Sequence, residues 1–192
     1  DVGGVLVELA GVEQMMTWTQ HRYSVEELWD KWLSSPTVRD FESGSTDPKT
    51  FADRLVSEFQ LATQPEDLIS TFDGWIAGPF DGAVQLLGRL RGCYRLGTLS
   101  NTNERHWPRF LDEMGMRCLF DCHFPSHETG RLKPDLDTFR YVVAELNTEA
   151  NKILFLDDNQ VNVEAARAAG LRAERVIGVN GAETCLASLG LT

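Results

Sequence analysis

The chain has 192 residues, of which 42% are hydrophobic, and a formal net charge of −11. That length makes one large domain, or a domain with a smaller insert, and carries enough apolar side chain for a substantial core. The acidic balance excludes nucleic acid and anionic membrane surfaces as main partners, because both attract Lys- and Arg-rich faces, and no run approaches the roughly 18 apolar residues of a membrane span.

The chain opens on Asp1-Val2-Gly3-Gly4-Val5-Leu6, a carboxylate followed by two glycines and an apolar run. Glycines let a backbone turn tightly at a strand end and present a carboxylate to a site, so a buried strand is expected just before Asp1. No charged-then-apolar leader is visible, and a cytosolic protein is expected. Residues 12–78 read as helices joined by polar connectors. Ser24-Val25-Glu26-Glu27 forms a capping box. Thr46 or Asp47 caps a helix with Pro48 at its first position and an apolar face from Phe51 to Phe59. Thr63-Gln64-Pro65-Glu66 predicts a further capping box.

The pattern then changes. A helix is predicted over residues 80–91, ending at Gly92, then a short strand in "YRLGTLSNTN". A helix near 107–114 ends at Gly115, "LFDCHFPS" reads as a strand, and the sequence after Pro134 is helical. "KILFLDDN" is the clearest buried strand; a helix closing on Gly170 and a strand near "AERVIGV" follow. Strands alternating with helices imply right-handed crossovers and a parallel sheet covered on both faces, an α/β Rossmann-like sandwich. Cys93, Cys118, Cys122 and Cys185 are scattered and expected to be reduced. Cys118, Cys122, His123 and His127 hold soft ligands, but their spacing matches no common zinc signature, and ordinary strand and turn roles are favoured.

In an open parallel sheet, ligands bind beyond the carboxyl ends of the strands. Four polar groups fall there: Asp1, Ser100-Asn101, Lys133 and Asp157-Asp158. Adjacent carboxylates repel unless a cation or basic group lies between them, and with Asp1 they supply hard oxygen ligands suited to Mg²⁺. Taken alone, Asp157 or Asp158 is equally well explained as a helix cap. Ser100 and Asn101 offer hydroxyl, amide and main-chain N–H donors of the kind that hold phosphate oxygens.

These residues in this order resemble the haloacid dehalogenase superfamily of Rossmann-like hydrolases: "DVGGVL", Ser100 in "GTLSNTN", Lys133 in "GRLKPD" and Asp157-Asp158 in "FLDDN". "LSNTN", "KPD", "FLDDN" and the "FESG" turn are most similar to a bacterial branch that includes alpha-glucose-1-phosphate phosphatase. The resemblance implies a catalytic core of residues 1–11 and 79–192 with a small helical cap over 12–78. It also implies a Mg²⁺-dependent phosphatase for a small phosphorylated metabolite such as a sugar phosphate, working through an aspartyl phosphate. Asp1 resembles the nucleophile, Asp1, the Gly3 carbonyl, Asp157 and Asp158 the metal site, and Ser100, Asn101 and Lys133 the phosphate clamp. Two alternatives stand beside it, a dehalogenase using the same Asp and a non-catalytic binding protein on the same fold; the oligomeric state is open between monomer and homodimer.

One position departs from the pattern. Most phosphatases of the superfamily carry a second Asp two residues after the nucleophile as acid and base, and Gly3 stands there; such assistance is typically worth about 10²- to 10⁴-fold. A good leaving group, a proton donor elsewhere, or weak activity would each accommodate it. His21, His106 and Glu42 fall where they could approach the cleft, but groups of this kind are expected at the solvated surface. Trp18, His21, Phe41 and Glu42 are the candidates for facing the cleft from the cap.

Overall fold

The computed structural model describes residues 1–192. The alternation of strand and helix beyond residue 97 produces two parallel ladders. β3 (Gly97–Ser100) pairs with β4 (Cys122–Pro125), Ser100 standing opposite Pro125. β5 (Leu154–Asp157) pairs with β6 (Arg172–Arg175), Asp157 opposite Arg175. The ladders are not hydrogen-bonded to each other. Asp1 lies alongside β5, its main-chain nitrogen donating to the Leu156 carbonyl at 2.7 Å.

Helices cover both faces. α6 (Ala83–Arg91) precedes β3, α7 (His106–Pro108) widens into a π-helical turn over Arg109–Glu113, and α8 (Ser126–Thr129) and α9 (Leu136–Leu146) join β4 to β5. α10 (Gln160–Ala168) makes the crossover to β6, and α11 (Gly178–Ser188) ends the chain. One core gathers Val2, Val5 and Leu6 with Leu86, Trp107, Phe110 and Leu186. A second gathers Leu99, Phe124, Phe139, Phe155 and Val163 around the two ladders. Burial of this order, at about 1.5–3 kcal/mol per large apolar side chain, is what opposes the chain's conformational entropy.

Between β1 (Val7–Leu9) and β2 (Ile76–Pro79), which form an antiparallel ribbon, the chain makes five helices. They are α1 (Gly11–Trp18), α2 (Val25–Ser34), α3 (Pro36–Glu42), α4 (Pro48–Phe59) and α5 (Pro65–Phe72). This helical unit has its own core, in which Phe41, Phe51, Leu55, Phe59, Leu68 and Phe72 are all but inaccessible. The Phe41 and Phe51 rings stack at 4.1 Å.

The caps follow the sequence with one correction. Ser24 and Glu27 form the reciprocal capping box, and Asp47 accepts from the N–H groups of Lys49 and Thr50. The box at Thr63 does not form: Gln64 is the N-cap and makes no side-chain bond, because Pro65 takes the first helical position and moves the start one residue along. No helix is long and apolar enough to cross a membrane.

Candidate active site

The carboxyl ends of β3 and β5 bring four separated sequence positions together around one cation. Lys133 is buried, and its Nζ donates to Asp157 Oδ2 at 2.7 Å and lies 2.8 Å from Asp1 Oδ1. The ammonium also lies 5.5 Å from the centre of the Phe155 ring. Its main chain is fixed by Asn101, whose Oδ1 accepts from the Lys133 N–H at 2.9 Å and whose Nδ2 donates to the Lys133 carbonyl at 3.0 Å. The loop after β3 thus positions the lysine, with Ser100 buried beside it at the strand's end.

Asp157 and Asp158 are adjacent in sequence and opposite in behaviour. Asp157 is wholly buried at the end of β5, where its oxygens accept from Lys133, the Asn159 N–H at 2.8 Å and Asn162 Nδ2 at 3.0 and 3.2 Å. Burial works to raise its pKa, but the Lys133 charge and these donors outweigh it and hold the carboxyl below its ordinary value. The Asp158 carboxylate has no hydrogen-bond partner on another residue, only its own main-chain N–H. Burial first, and the Asp157 charge second, push its pKa up. Its Oδ2 packs against Gly4, which turns there with φ +71°; a Cβ at that position would sit 2.3 Å from the oxygen.

Carboxylate oxygens of Asp1, Asp157 and Asp158 lie within 4.8 Å of one another. A group of hard oxygen donors, one of them crowded and without a donor from any other residue, suits a divalent cation such as Mg²⁺. Gly3 lines the same cleft. Asp157 is largely committed to Lys133 and Asn162, which leaves Asp1 and Asp158 as the freer donors. The sequence did not single out Asn162, although its place one turn into the helix after Asp157 carries the signal.

The soft-ligand group does not assemble: His123 Nδ1 lies 3.1 Å from Thr98 Oγ1 and its Nε2 faces the Arg117 carbonyl. All four cysteines are unpaired.

The cluster opens into a cleft of about 560 Å³ lined also by Val12, Met15, Leu28, Trp29, Trp32 and Leu33 of α1 and α2. Leu9, Phe72, Trp75 and Phe110 add to its apolar lining. Two groups expected at the solvated surface belong to this cleft instead. Half-buried His106 stacks on Phe72 at 4.3 Å with Nε2 2.8 Å from the Phe72 carbonyl, and burial pushes its pKa down to about 4. Half-buried Glu42, at the end of α3, has its pKa pushed up to about 7 by burial, against the opposing pull of Lys133, the Trp32 indole N–H and Arg39. Of the other candidates, His21 is exposed and Phe41 is core, and neither lines the cleft; nor does Trp18.

Residues 7–170 match the model of the haloacid dehalogenase-like hydrolases. The chain belongs to that family. Within it, the chain is 42% identical over 178 residues to the sesquiterpene phosphatase astK of Aspergillus oryzae, covering 89% of this chain and 84% of that protein. An 82-residue stretch, 43% of the chain, is 38% identical to the drimenol cyclase drtB of Aspergillus calidoustus and spans only 16% of that longer protein. Among solved structures, a haloacid dehalogenase family enzyme from Bacteroides thetaiotaomicron, crystallised with magnesium and inorganic phosphate, superposes with a TM-score of 0.74 at 20% identity, covering 92% of this chain and 91% of its own. That likeness carries the fold, a Rossmann-like core with a helical insert.

Proposed function

We propose that this hydrolase is a Mg²⁺-dependent phosphatase of a small organic phosphate, with residues 12–78 acting as its cap. The observation that carries the reading is the Asp1–Lys133–Asp157 arrangement, with Asp158 beside it, at the mouth of a cleft at the strand ends. Asp1 is the nucleophile: a carboxylate is ionised at neutral pH and attacks phosphorus without a base, forming an aspartyl phosphate that water then hydrolyses. Lys133 holds Asp1 in place and, with Ser100, binds phosphoryl oxygens as charge develops on them. Asn101 and Asp157 keep Lys133 pointed at the site. Asp1, Asp158 and the Gly3 carbonyl would hold Mg²⁺, which supplies charge neutralisation for the approach of a carboxylate to an anionic phosphate.

Val12, Met15, Leu28, Trp29, Trp32 and Leu33 of α1 and α2 give part of the cleft an apolar surface beside the acidic Glu26 and Asp30, and that apolar part favours a substrate with an apolar organic body. A terpenoid phosphate, the substrate class in the name of the A. oryzae relative, fits this lining, and the sugar phosphates implied by the sequence motifs form the second class to test. Phosphate release from both classes, with and without Mg²⁺, tests the reading in the wild-type protein and in Asp1→Asn. Mg²⁺-dependent release, abolished in Asp1→Asn and faster for the apolar esters, is expected. Release that survives the substitution would overturn it.

A further inference from the structure

The "FESG" turn has no part in the chemistry described so far, yet it is one of the places where the helical unit touches the segments that follow the strand ends. Glu42 is its second residue. The Glu42 carbonyl lies 2.5 Å from Ser126 Oγ, and that buried hydroxyl also accepts the Thr102 N–H at 2.9 Å. One serine, the first residue after β4, therefore ties the Glu42 main chain to the loop that follows Ser100. Two residues on, Gly44 turns with φ +73° so close to the next segment that a Cβ would sit 2.3 Å from the His127 carbonyl oxygen. On the same helix, Arg39 pairs with Asp135, two residues beyond Lys133, at 2.8 Å. These contacts bring Glu42 to the edge shared by Ser100 and Lys133, where it lines the cleft with Asp1.

Gly3 offers no acid of its own. A Cβ there would lie 3.3 Å from Leu9 Cδ2, so Leu9 borders the place from which a second acid would act. An alkoxide leaving group needs a proton, and Asp1 and Lys133 are engaged with each other and with phosphate.

From this arrangement we infer that Glu42, supplied by the helical unit, is the catalytic acid and base that position 3 lacks. The inference rests on the phosphatase reading above. In the first step Asp1 Oδ attacks phosphorus, the bond from phosphorus to the leaving oxygen breaks with its electron pair on that oxygen, and the Glu42 carboxylic acid protonates it to the free alcohol. In the second, water attacks the aspartyl phosphate, its proton passes to the Glu42 carboxylate, and inorganic phosphate and ionised Asp1 are released. The acid form is available because burial raises the Glu42 pKa to about 7 against Lys133 and Arg39, the two cations that oppose the shift.

The test compares a primary alkyl phosphate with p-nitrophenyl phosphate, whose phenolate departs without a proton, in wild type and Glu42→Gln. With the alkyl ester the variant is expected to lose about 10²- to 10⁴-fold in kcat/KM. With the nitrophenyl ester it should keep a first-turnover burst of nitrophenolate followed by slowed steady state, because the first step needs no acid and the second still needs a base. Equal losses on both esters without a burst, or undiminished alkyl phosphate turnover, would overturn the assignment. The wild-type protein carries the same test without substitution. A weak dependence of kcat/KM on leaving-group basicity, from nitrophenyl to alkyl esters, is expected, and a steep one would overturn it. Wild-type protein inert toward every ester with Mg²⁺ present would instead overturn the phosphatase reading itself.

Discussion

Lys133 is the residue whose removal should be felt most. Its side chain is 2% exposed and its ammonium stands 2.8 Å from Asp1 and 2.7 Å from Asp157, whose own side chain is fully inaccessible. At an effective dielectric of about 20, each contact at such a distance is worth about 6 kcal/mol of attraction, most of it offset by desolvation of the charges. Lys133→Met keeps the volume and removes the charge. Asp157 is then left with Asn162 and the Asn159 N–H against two neighbouring carboxylates. Breaking a buried pair from one side costs about 3–5 kcal/mol, and that is the expected loss in urea unfolding without divalent ions. Mg²⁺ should restore part of it, raising the variant's midpoint more than the wild type's, because the cation answers the same unbalanced charge. A loss below about 1 kcal/mol, or equal Mg²⁺ stabilisation of both proteins, would refute the view that Lys133 neutralises this cluster.

Other perturbations reach the elements that position the site. His106 has its folded-state pKa lowered to about 4 from an ordinary 6.5, so the unfolded chain binds the extra proton first. Its contribution is complete above pH 6.5 and is lost as pH falls toward 4, a loss of up to about 2–3 kcal/mol that His106→Gln should flatten in pH-dependent unfolding. Phe51→Ala opens the core of the helical unit where Phe51 stacks on Phe41, and should cost about 3–5 kcal/mol by thermal unfolding. Gly44→Ala meets both a positive φ and the His127 carbonyl. It should destabilise by more than about 1 kcal/mol and reduce turnover through displacement of Glu42, as seen by comparing unfolding midpoints with kcat.

Much of the site was legible because its residues follow strand ends. Ser100 and Asp157 end apolar strands, and a parallel ladder delivers such positions to one edge whatever the helices between them do. The division of labour between Asp157 and Asp158 was not legible, since alternating strand geometry turns one inward to Lys133 and Asn162 and leaves the other against Gly4. The β1–β2 ribbon escaped notice because its strands are three and four residues long and pair across the whole helical unit. α11 was not read from the sequence, and the helix around residue 110 was read as a regular one where the chain makes a π turn.

Glu42 was the hardest residue to read. A glutamate on an amphipathic helix has the composition of a solvated face, and periodicity cannot report that the helix ends against another part of the chain. The local clue is the glycine two residues later. Gly44 is required by contact with His127, and a contact that leaves no room for a methyl group is one that the turn cannot relax away from. That approach and the Ser126 contact fix the Glu42 main chain against the loop that follows Ser100. The same rigidity has a consequence for substrate choice. Trp29, Trp32 and Leu33 lie on α2, which Ser35 joins to α3 and so to Glu42, and they line the same cleft as Glu42 and Asp1, so an apolar substrate seated against them lies in the cleft that holds the proposed proton donor. A short ester lacking that apolar body should therefore lose in kcat as well as in binding.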